Sequence, residues 1–367
     1  MTRPEIAPVA IGGHLVGDGH PPLFVAEIGT FFNKDVDLAE AYLRAIAEAG
    51  APVFKTEILH DPDVCLKDAA LLHEYQHATG RTTEVYRELV ERKCNPLSAY
   101  RRLFDRCTAL GIPFVATVYD ITGIDFLADA GAAGIKIARD NVNNVPLIRH
   151  AAGTGLPLIL DAGVVYLDEI GFAVRLAQAS GAGGVIVNHH PGRNPAPPEA
   201  HNLCMIESYK QSLGVPVGLA CHYRGDEILY AAAALGVNLI EKGVVDDPDR
   251  AEQDLVSAAS LGDVREIIRK VHNCWQSVGR SPLRHREPRE LSVRKGLVAT
   301  AAIRAGEVFD GSNTGFAWPP VGVSVEHWDI VLGNQAARDL GPQDPIHWSD
   351  IRFGPPTPPD RFQGRKV

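Results

Sequence analysis

The chain has 367 residues, a mass of 39.6 kDa and 45% hydrophobic residues, enough to bury a large core. Its 36 basic and 45 acidic residues give a net charge of −9, and nothing in the sequence supplies the basic stripe that a nucleic-acid groove needs. No run approaches the ~20 apolar residues of a membrane span, and the N-terminus lacks the features of a signal peptide, so a cytoplasmic protein is expected.

From residue 23 to about residue 272, short apolar runs alternate with helical patterns. The runs are LFVAEIG (23–29), PVFKTEI (52–58), PFVATV (113–118), GIKIA (134–138), PLILDAG (157–163), GVIVNHH (184–190), VPVGLAC (215–221) and NLIEKG (238–243). They are rich in Val and Ile and apolar on both faces, as parallel strands buried on two sides are. Between them lie amphipathic stretches such as 37–50, 98–111 and 167–181, several ending in Gly as helix C-caps do. Eight strand–helix units predict a closed (β/α)8 (TIM) barrel. An open doubly wound sheet is the rival, but no G-x-G-x-x-G follows the first strand.

Residues 59–97 interrupt this rhythm with His60, Lys67, His73, His77, Arg81 and a short helical pattern. An insertion at the carboxyl end of a barrel strand covers the active site or decorates the surface. The periodicity stops near Trp275. The organisation expected is a barrel over 1–275, a basic, proline-containing linker over 276–291, a small β-rich module over 292–353 and a mobile tail over 354–367. The six cysteines are scattered, with no C-x-x-C, and read as buried reduced thiols.

In a barrel, chemistry sits at the carboxyl ends of the strands. Read there, the candidates include Glu27, Lys55, Glu57, Thr117, Lys136, Arg139, Asp161, His189, His190, His222, Glu241 and Lys242. Lys55, Lys136 and Lys242, with Arg139 close by, are expected to point into one mouth, where they repel one another unless an anion sits among them. The alternative is that each lysine pairs with a neighbouring acid such as Glu57 or Glu241. His189 and His222 end adjacent strands and could share one divalent metal, although a histidine pair alone is a weak signal.

Several segments are recognisable. VAEIGTFFNKDVDLAEAYLRAIAEAGAPVFKTE, IKIARDNVNNVPLIRHAAGTGLPLILDAG, NHHPGRNPAPPEAHNL and PVGLACHYRGDEILYAAAALGVNLIEKG resemble, in order and spacing, motifs of the N-acetylneuraminate (sialic acid) synthase family. The C-terminal module resembles the antifreeze-like SAF domain that ends these synthases, and the likeness spans residues 21–352.

The resemblance implies a transferase that condenses phosphoenolpyruvate with an open-chain, N-acetylmannosamine-like amino sugar and releases phosphate, using Mn²⁺ or Mg²⁺. It implies that His189 and His222 hold the metal. Lys55, Thr117 and Lys136 would grip phosphoenolpyruvate, with Arg139, Asp161 and Lys242 also at the substrate. Glu27 would orient or transfer a proton, and Glu241 would face the cationic C2. It also implies a homodimer in which each SAF module caps the partner's barrel.

The sequence departs from the family pattern at several places. N-H-N-G is here Thr30-Phe31-Phe32-Asn33-Lys34, and K-I-A-S is K-I-A-R, ending in Arg139. S-T-G is Asp161-Ala162-Gly163, which predicts a compensating Arg139–Asp161 pair. E-K-H is Glu241-Lys242-Gly243, and an arginine of the SAF module is Trp318. Two other readings follow from these changes: a barrel that binds a sugar or anion without turning it over, and an aldolase with a different enol donor.

Overall fold

A computed structural model describes residues 6–279 and 293–354. The expected linker beyond residue 279 and the tail beyond residue 354 lie outside the described residues. The chain divides into two compact units, Met1–Gly279 and Arg280–Val367.

The first unit opens with a hairpin, β1 (Val9–Ile11) and β2 (His14–Val16), followed by β3 (Leu23–Glu27), α1 (Val36–Ala49) and β4 (Val53–Ile58). The 59–97 insertion carries a second hairpin, β5 (Leu72–His77) and β6 (Gly80–Val85), then α2 (Tyr86–Lys93). The rhythm resumes with α3 (Leu97–Leu110), β7 (Phe114–Val118), α4 (Ile121–Asp129), β8 (Gly134–Ile137), α5 (Val145–Gly153), β9 (Leu158–Asp161), α6 (Leu167–Ala179) and β10 (Val185–His189). It ends with α7 (Met205–Leu213), β11 (Val217–Cys221), α8 (Glu227–Ala234), β12 (Leu239–Val245) and α9 (Val264–Val278).

Strands β3, β4 and β7 to β12 pair in parallel with their neighbours, and β12 returns to pair with β3. The sheet is therefore the closed eight-stranded barrel that the alternation predicted. The helices form where apolar residues recur at helical spacing: α1 buries Ala39, Tyr42, Leu43 and Ile46. Gly50 ends α1 in a left-handed conformation (φ 82°) that a side chain would strain, and its N–H caps the last turn.

The amino-terminal hairpin closes the bottom of the barrel. Val9, Ile11 and Val16 pack against the inward residues Leu23, Val25, Val53, Val115, Ile159, Ile186 and Leu239. This contact fixes the parity of six of the eight strands, β3, β4, β7, β9, β10 and β12. Side chains alternate along a strand, so the residues two and four further on also face inward. At the other end these are Glu27, Lys55, Glu57, Thr117, Asp161, Asn188, His190 and Glu241.

The second unit has its own core of Leu297, Ala299, Ile303, Phe309, Val323, Val331, Ala336, Leu340, Ile346 and Ile351. Its strands Gly296–Ala299 and Thr314–Ala317 pair antiparallel, as do Gln335–Ala336 and Ile351–Arg352. Among the described residues no helix is long and apolar enough to cross a membrane. The cysteines form no disulfide; Cys65, Cys107 and Cys221 are buried, but Cys204 is exposed, contrary to expectation.

Candidate active site

At the carboxyl-terminal end of the barrel, the inward polar residues join in one chain of ion pairs. Lys55 pairs with Glu27 from the adjacent strand, and its Nζ lies 3.7 Å from Glu241 Oε1. Lys136 Nζ lies 2.5 Å from the same Glu241 oxygen and 3.0 Å from Asp161 Oδ2. Asn188 donates to Glu241 Oε2 at 3.1 Å. Both ammonium groups are thus matched by carboxylates, the alternative left open by the sequence.

Burial and charge split the acids. Burial pushes Glu27 up to about 7, with Lys55 opposing and Glu241 adding to the rise. Burial also disfavours the charge on Glu241, but Lys136 and Lys55 overcome it and hold that carboxyl down at about 2. Asp161 is likewise lowered, because Lys136 outweighs its burial. Lys136 is raised despite its burial, by Glu241 and Asp161. One carboxyl therefore titrates near neutrality while its neighbours stay ionised, an arrangement suited to proton transfer.

Several polar atoms in this region lack a hydrogen-bond partner although they are buried: Thr117 Oγ1, Asn188 Oδ1, Asn194 Oδ1 and His222 Nδ1. Buried polar atoms are normally satisfied, so these are positions for water or a ligand. Asn194 and His222 also line a cavity of about 50 Å³, together with Glu27, Glu57, Glu241 and Asp254 among others. That is room for a few water molecules only, so a larger guest requires the mouth residues to shift.

Two of the departures at the rim, Phe31 and Gly243, lie side by side. Phe31 is buried in the cavity wall. A side chain at Gly243 would begin 3.4 Å from its ring, and one at Gly29 would begin 3.2 Å away. The ring thus packs within ordinary contact distance of the place a side chain at 243 would begin. Gly218 has a similar role deeper down, since a Cβ there would sit 2.4 Å from Asn188 Oδ1.

The insertion after β4 covers this end rather than decorating a remote surface. His73 meets Gln253 at 3.4 Å, and Lys93 lies 3.6 Å from Glu252. Both partners belong to the segment whose Asp254 lines the cavity, and Asp254 accepts from Asn194 at 2.8 Å.

Three expectations are corrected. Lys242 does not enter the mouth: its neighbour Glu241 faces inward, so Lys242 faces outward and donates to the carbonyls of Tyr223 (2.6 Å) and Gly225 (3.0 Å). The expected Arg139–Asp161 pair does not form. Asp161 takes Lys136, whereas Arg139, in a short 3-10 turn beyond β8, pairs with Asp140 at 3.4 Å and donates to the Gly192 carbonyl at 3.2 Å. His189 does not meet His222. It turns outward to the His201 carbonyl (2.5 Å) and the Tyr209 ring.

The ring facing His222 is His190, with centroids 4.5 Å apart. Gly163 makes room for it, because a Cβ there would lie 2.8 Å from His190 Nδ1. Burial lowers His190 and drives His222 well below the ordinary histidine range, so both rings are neutral near pH 7. Neutral imidazole is the ligating form, but His190 Nδ1 already accepts from the Gly192 N–H at 2.8 Å. Among the described residues no group of three His, Cys, Asp or Glu side chains converges. In this arrangement the residues do not fit a divalent cation.

Sequence reasoning attached the metal role to His189 rather than His190 and did not single out Asn188. The signal that finds Asn188 and His190 is parity, because Ile186 packs on the basal hairpin and fixes residues 188 and 190 as inward-facing.

Comparison with known proteins bears on the whole chain. The N,N'-diacetyllegionaminic acid synthase of Campylobacter jejuni is 26% identical over 322 residues, 86% of this chain and 96% of that protein. The spore coat polysaccharide biosynthesis protein SpsE of Bacillus subtilis is 27% identical over 369 residues, 94% of this chain and 98% of that protein. The crystal structure of N-acetylneuraminic acid (sialic acid) synthetase from Leptospira borgpetersenii, in complex with citrate, superposes with a TM-score of 0.69 at 22% identity. It covers 78% of this chain and 94% of its own, and it bears on the fold alone. The profile of the SAF domain matches residues 294–352, and that of the NeuB family matches residues 42–282. With its closed barrel, its SAF domain and a family match over well more than half its length, this chain belongs to the NeuB family.

Proposed function

We propose that the chain is a phosphoenolpyruvate-dependent sugar-acid synthase, condensing phosphoenolpyruvate with an N-acetylmannosamine-like amino sugar in the cytoplasm to supply surface carbohydrate. The observation that carries this reading is the inward convergence of Glu27, Lys55, Thr117, Lys136 and Glu241 at the carboxyl end of the barrel. The names of the relatives, which include legionaminic acid synthases, support the same reaction class.

In this reading Lys55 and Lys136 exchange part of their carboxylate contacts for the phosphate and carboxylate of the donor. Thr117 adds its unpartnered hydroxyl, and Arg139 binds from the rim. C3 of the donor attacks the aldehyde carbon, and the aldehyde oxygen becomes a hydroxyl with a proton from Glu27. Glu241 remains ionised and stabilises the cation that develops at C2. Water adds at C2, and the tetrahedral intermediate collapses to the ketone by C–O cleavage, losing phosphate and a proton. Mn²⁺ or Mg²⁺, implied by the family resemblance, finds no set of three ligands among the described residues.

We also read the protein as a homodimer whose SAF domains cap the partners' barrels. In that domain Trp318 is exposed, with Lys295 Nζ 4.6 Å from its ring, where the family resemblance leads one to expect an arginine. An acceptor different from plain N-acetylmannosamine would accommodate that exchange.

A second reading, a barrel that binds a sugar or anion without turnover, is favoured by the paired lysines and the small cavity. Purified full-length protein assayed with phosphoenolpyruvate and a panel of hexosamines, with and without Mn²⁺ or Mg²⁺, separates the two. Sugar-dependent phosphate release supports the synthase. Saturable sugar binding without phosphate release supports the binder, and condensation with pyruvate instead identifies an aldolase.

A further inference from the structure

We propose that Asp161 determines specificity at the donor end of the site: its carboxylate occupies Lys136 as a built-in anion, and an anionic donor gains Lys136 only by displacing it. The inference rests on the reading that Lys136 receives an anionic donor.

Three carboxylates, Glu27, Glu241 and Asp161, share two ammonium groups. Glu27 reaches Lys55, and Glu241 bridges Lys55 and Lys136 across the barrel. At pH 8, where Glu27 is ionised, the set without Asp161 would hold two cations and two carboxylates. Asp161 supplies the surplus, and it does so from a fixed position. It is only 3% exposed, it ends β9, and its Oδ1 accepts the Gly163 N–H at 3.0 Å. Its other oxygen, Oδ2, is thereby directed at Lys136, 3.0 Å away. The nearby imidazoles bring no compensating charge, because burial keeps His190 and His222 neutral. Arg139, a further cation at this rim, is engaged by Asp140 and the Gly192 carbonyl instead.

A carboxylate ion-paired at 3.0 Å with the ammonium that would receive the donor acts against every incoming anion, and its effect grows with the charge of the ligand. The site should therefore discriminate against highly charged donors relative to singly charged ones. Removing the charge while keeping the shape removes the discrimination. A merely structural Asp161 behaves oppositely, since its loss would loosen Lys136 and weaken every ligand alike.

The test is calorimetric titration of the full-length wild type and Asp161→Asn with phosphoenolpyruvate and, separately, pyruvate, at pH 8 and low salt. Asp161→Ser, which also removes the bulk, is titrated as a second variant, and thermal unfolding confirms that each protein is folded. The expected result is phosphoenolpyruvate binding at least tenfold tighter in Asp161→Asn, with a gain of no more than about threefold for pyruvate. Equal or weaker binding of phosphoenolpyruvate by both variants overturns the inference and leaves the synthase reading standing. A gain of the same size for both ligands also overturns it, since charge then plays no part. Failure of phosphoenolpyruvate to bind wild type and both variants overturns the donor assignment itself, and the inference with it.

Discussion

Lys136 and Glu241 meet at 2.5 Å across the barrel interior, from the fourth and the eighth barrel strands. In an eight-stranded barrel these strands lie on opposite walls, so the pair spans the axis and plugs the mouth with charge rather than hydrocarbon. An ion pair so placed holds two otherwise costly groups in a buried setting, and breaking one side of it has a large effect. Lys136→Met leaves Glu241 and Asp161 buried with less compensation. It should lower stability by about 3–5 kcal/mol and abolish turnover, checked by urea unfolding and a phosphate-release assay.

Glu27 gives a pH dependence with a definite sign. Its folded-state carboxyl is raised from 4.5 to about 7, so protonated Glu27 suits the fold. Its contribution is complete below pH 4.5 and is lost as the pH rises through about 7, to a total of about 3 kcal/mol. Glu27→Gln mimics the protonated form. The variant should match wild type in melting temperature near pH 5 and exceed it at pH 8, while losing at least a hundredfold in kcat. Equal melting curves at both pH values would contradict the assignment.

Histidines 189, 190 and 222 should separate by role. His190→Ala and His222→Ala remove rings that face each other at the mouth, and each should cut kcat/KM by about a hundredfold with little change in melting temperature. His189→Ala removes a buried bond to the His201 carbonyl and a contact with Tyr209, so it should lower stability by about 1–3 kcal/mol and spare activity in the surviving folded protein. A His189 variant that stays stable but inactive would restore the role the family resemblance implied for it.

Lys242 belongs with His189. Its ammonium ties the carbonyls of Tyr223 and Gly225, and Lys242→Met should cost about 1–3 kcal/mol in unfolding free energy while leaving the KM for the donor within twofold. A large rise in that KM would place Lys242 at the substrate after all.

The barrel was legible because its strands are apolar on both faces and separated by capped amphipathic helices, a pattern that few other architectures produce. The hairpin β5–β6 was not, because its strands, LHEYQH and GRTTEV, are largely polar and leave no apolar stripe to read. The basal hairpin β1–β2 was missed for another reason. Each of its strands has three residues, too few to display a period. Within the site, residue type identified Glu27, Lys55, Thr117, Lys136, Asp161 and Glu241. Strand-end position alone did not separate inward Glu241 from outward Lys242, or inward His190 from outward His189. Alternation does separate them once one residue of each strand is anchored, and Leu239 and Ile186 on the basal hairpin supply the anchors.

In the proposed reaction, this mouth joins phosphoenolpyruvate to an amino-sugar aldehyde with cleavage of the C–O bond. Phosphoenolpyruvate carrying ¹⁸O in the bridging position, incubated with the full-length protein and N-acetylhexosamines, tests it by mass spectrometry of both products. The expected result is one equivalent of labelled phosphate for each nine-carbon keto acid formed, and neither product when the sugar is left out. Label retained in the organic product, or sugar bound at saturation with no phosphate released, would contradict it.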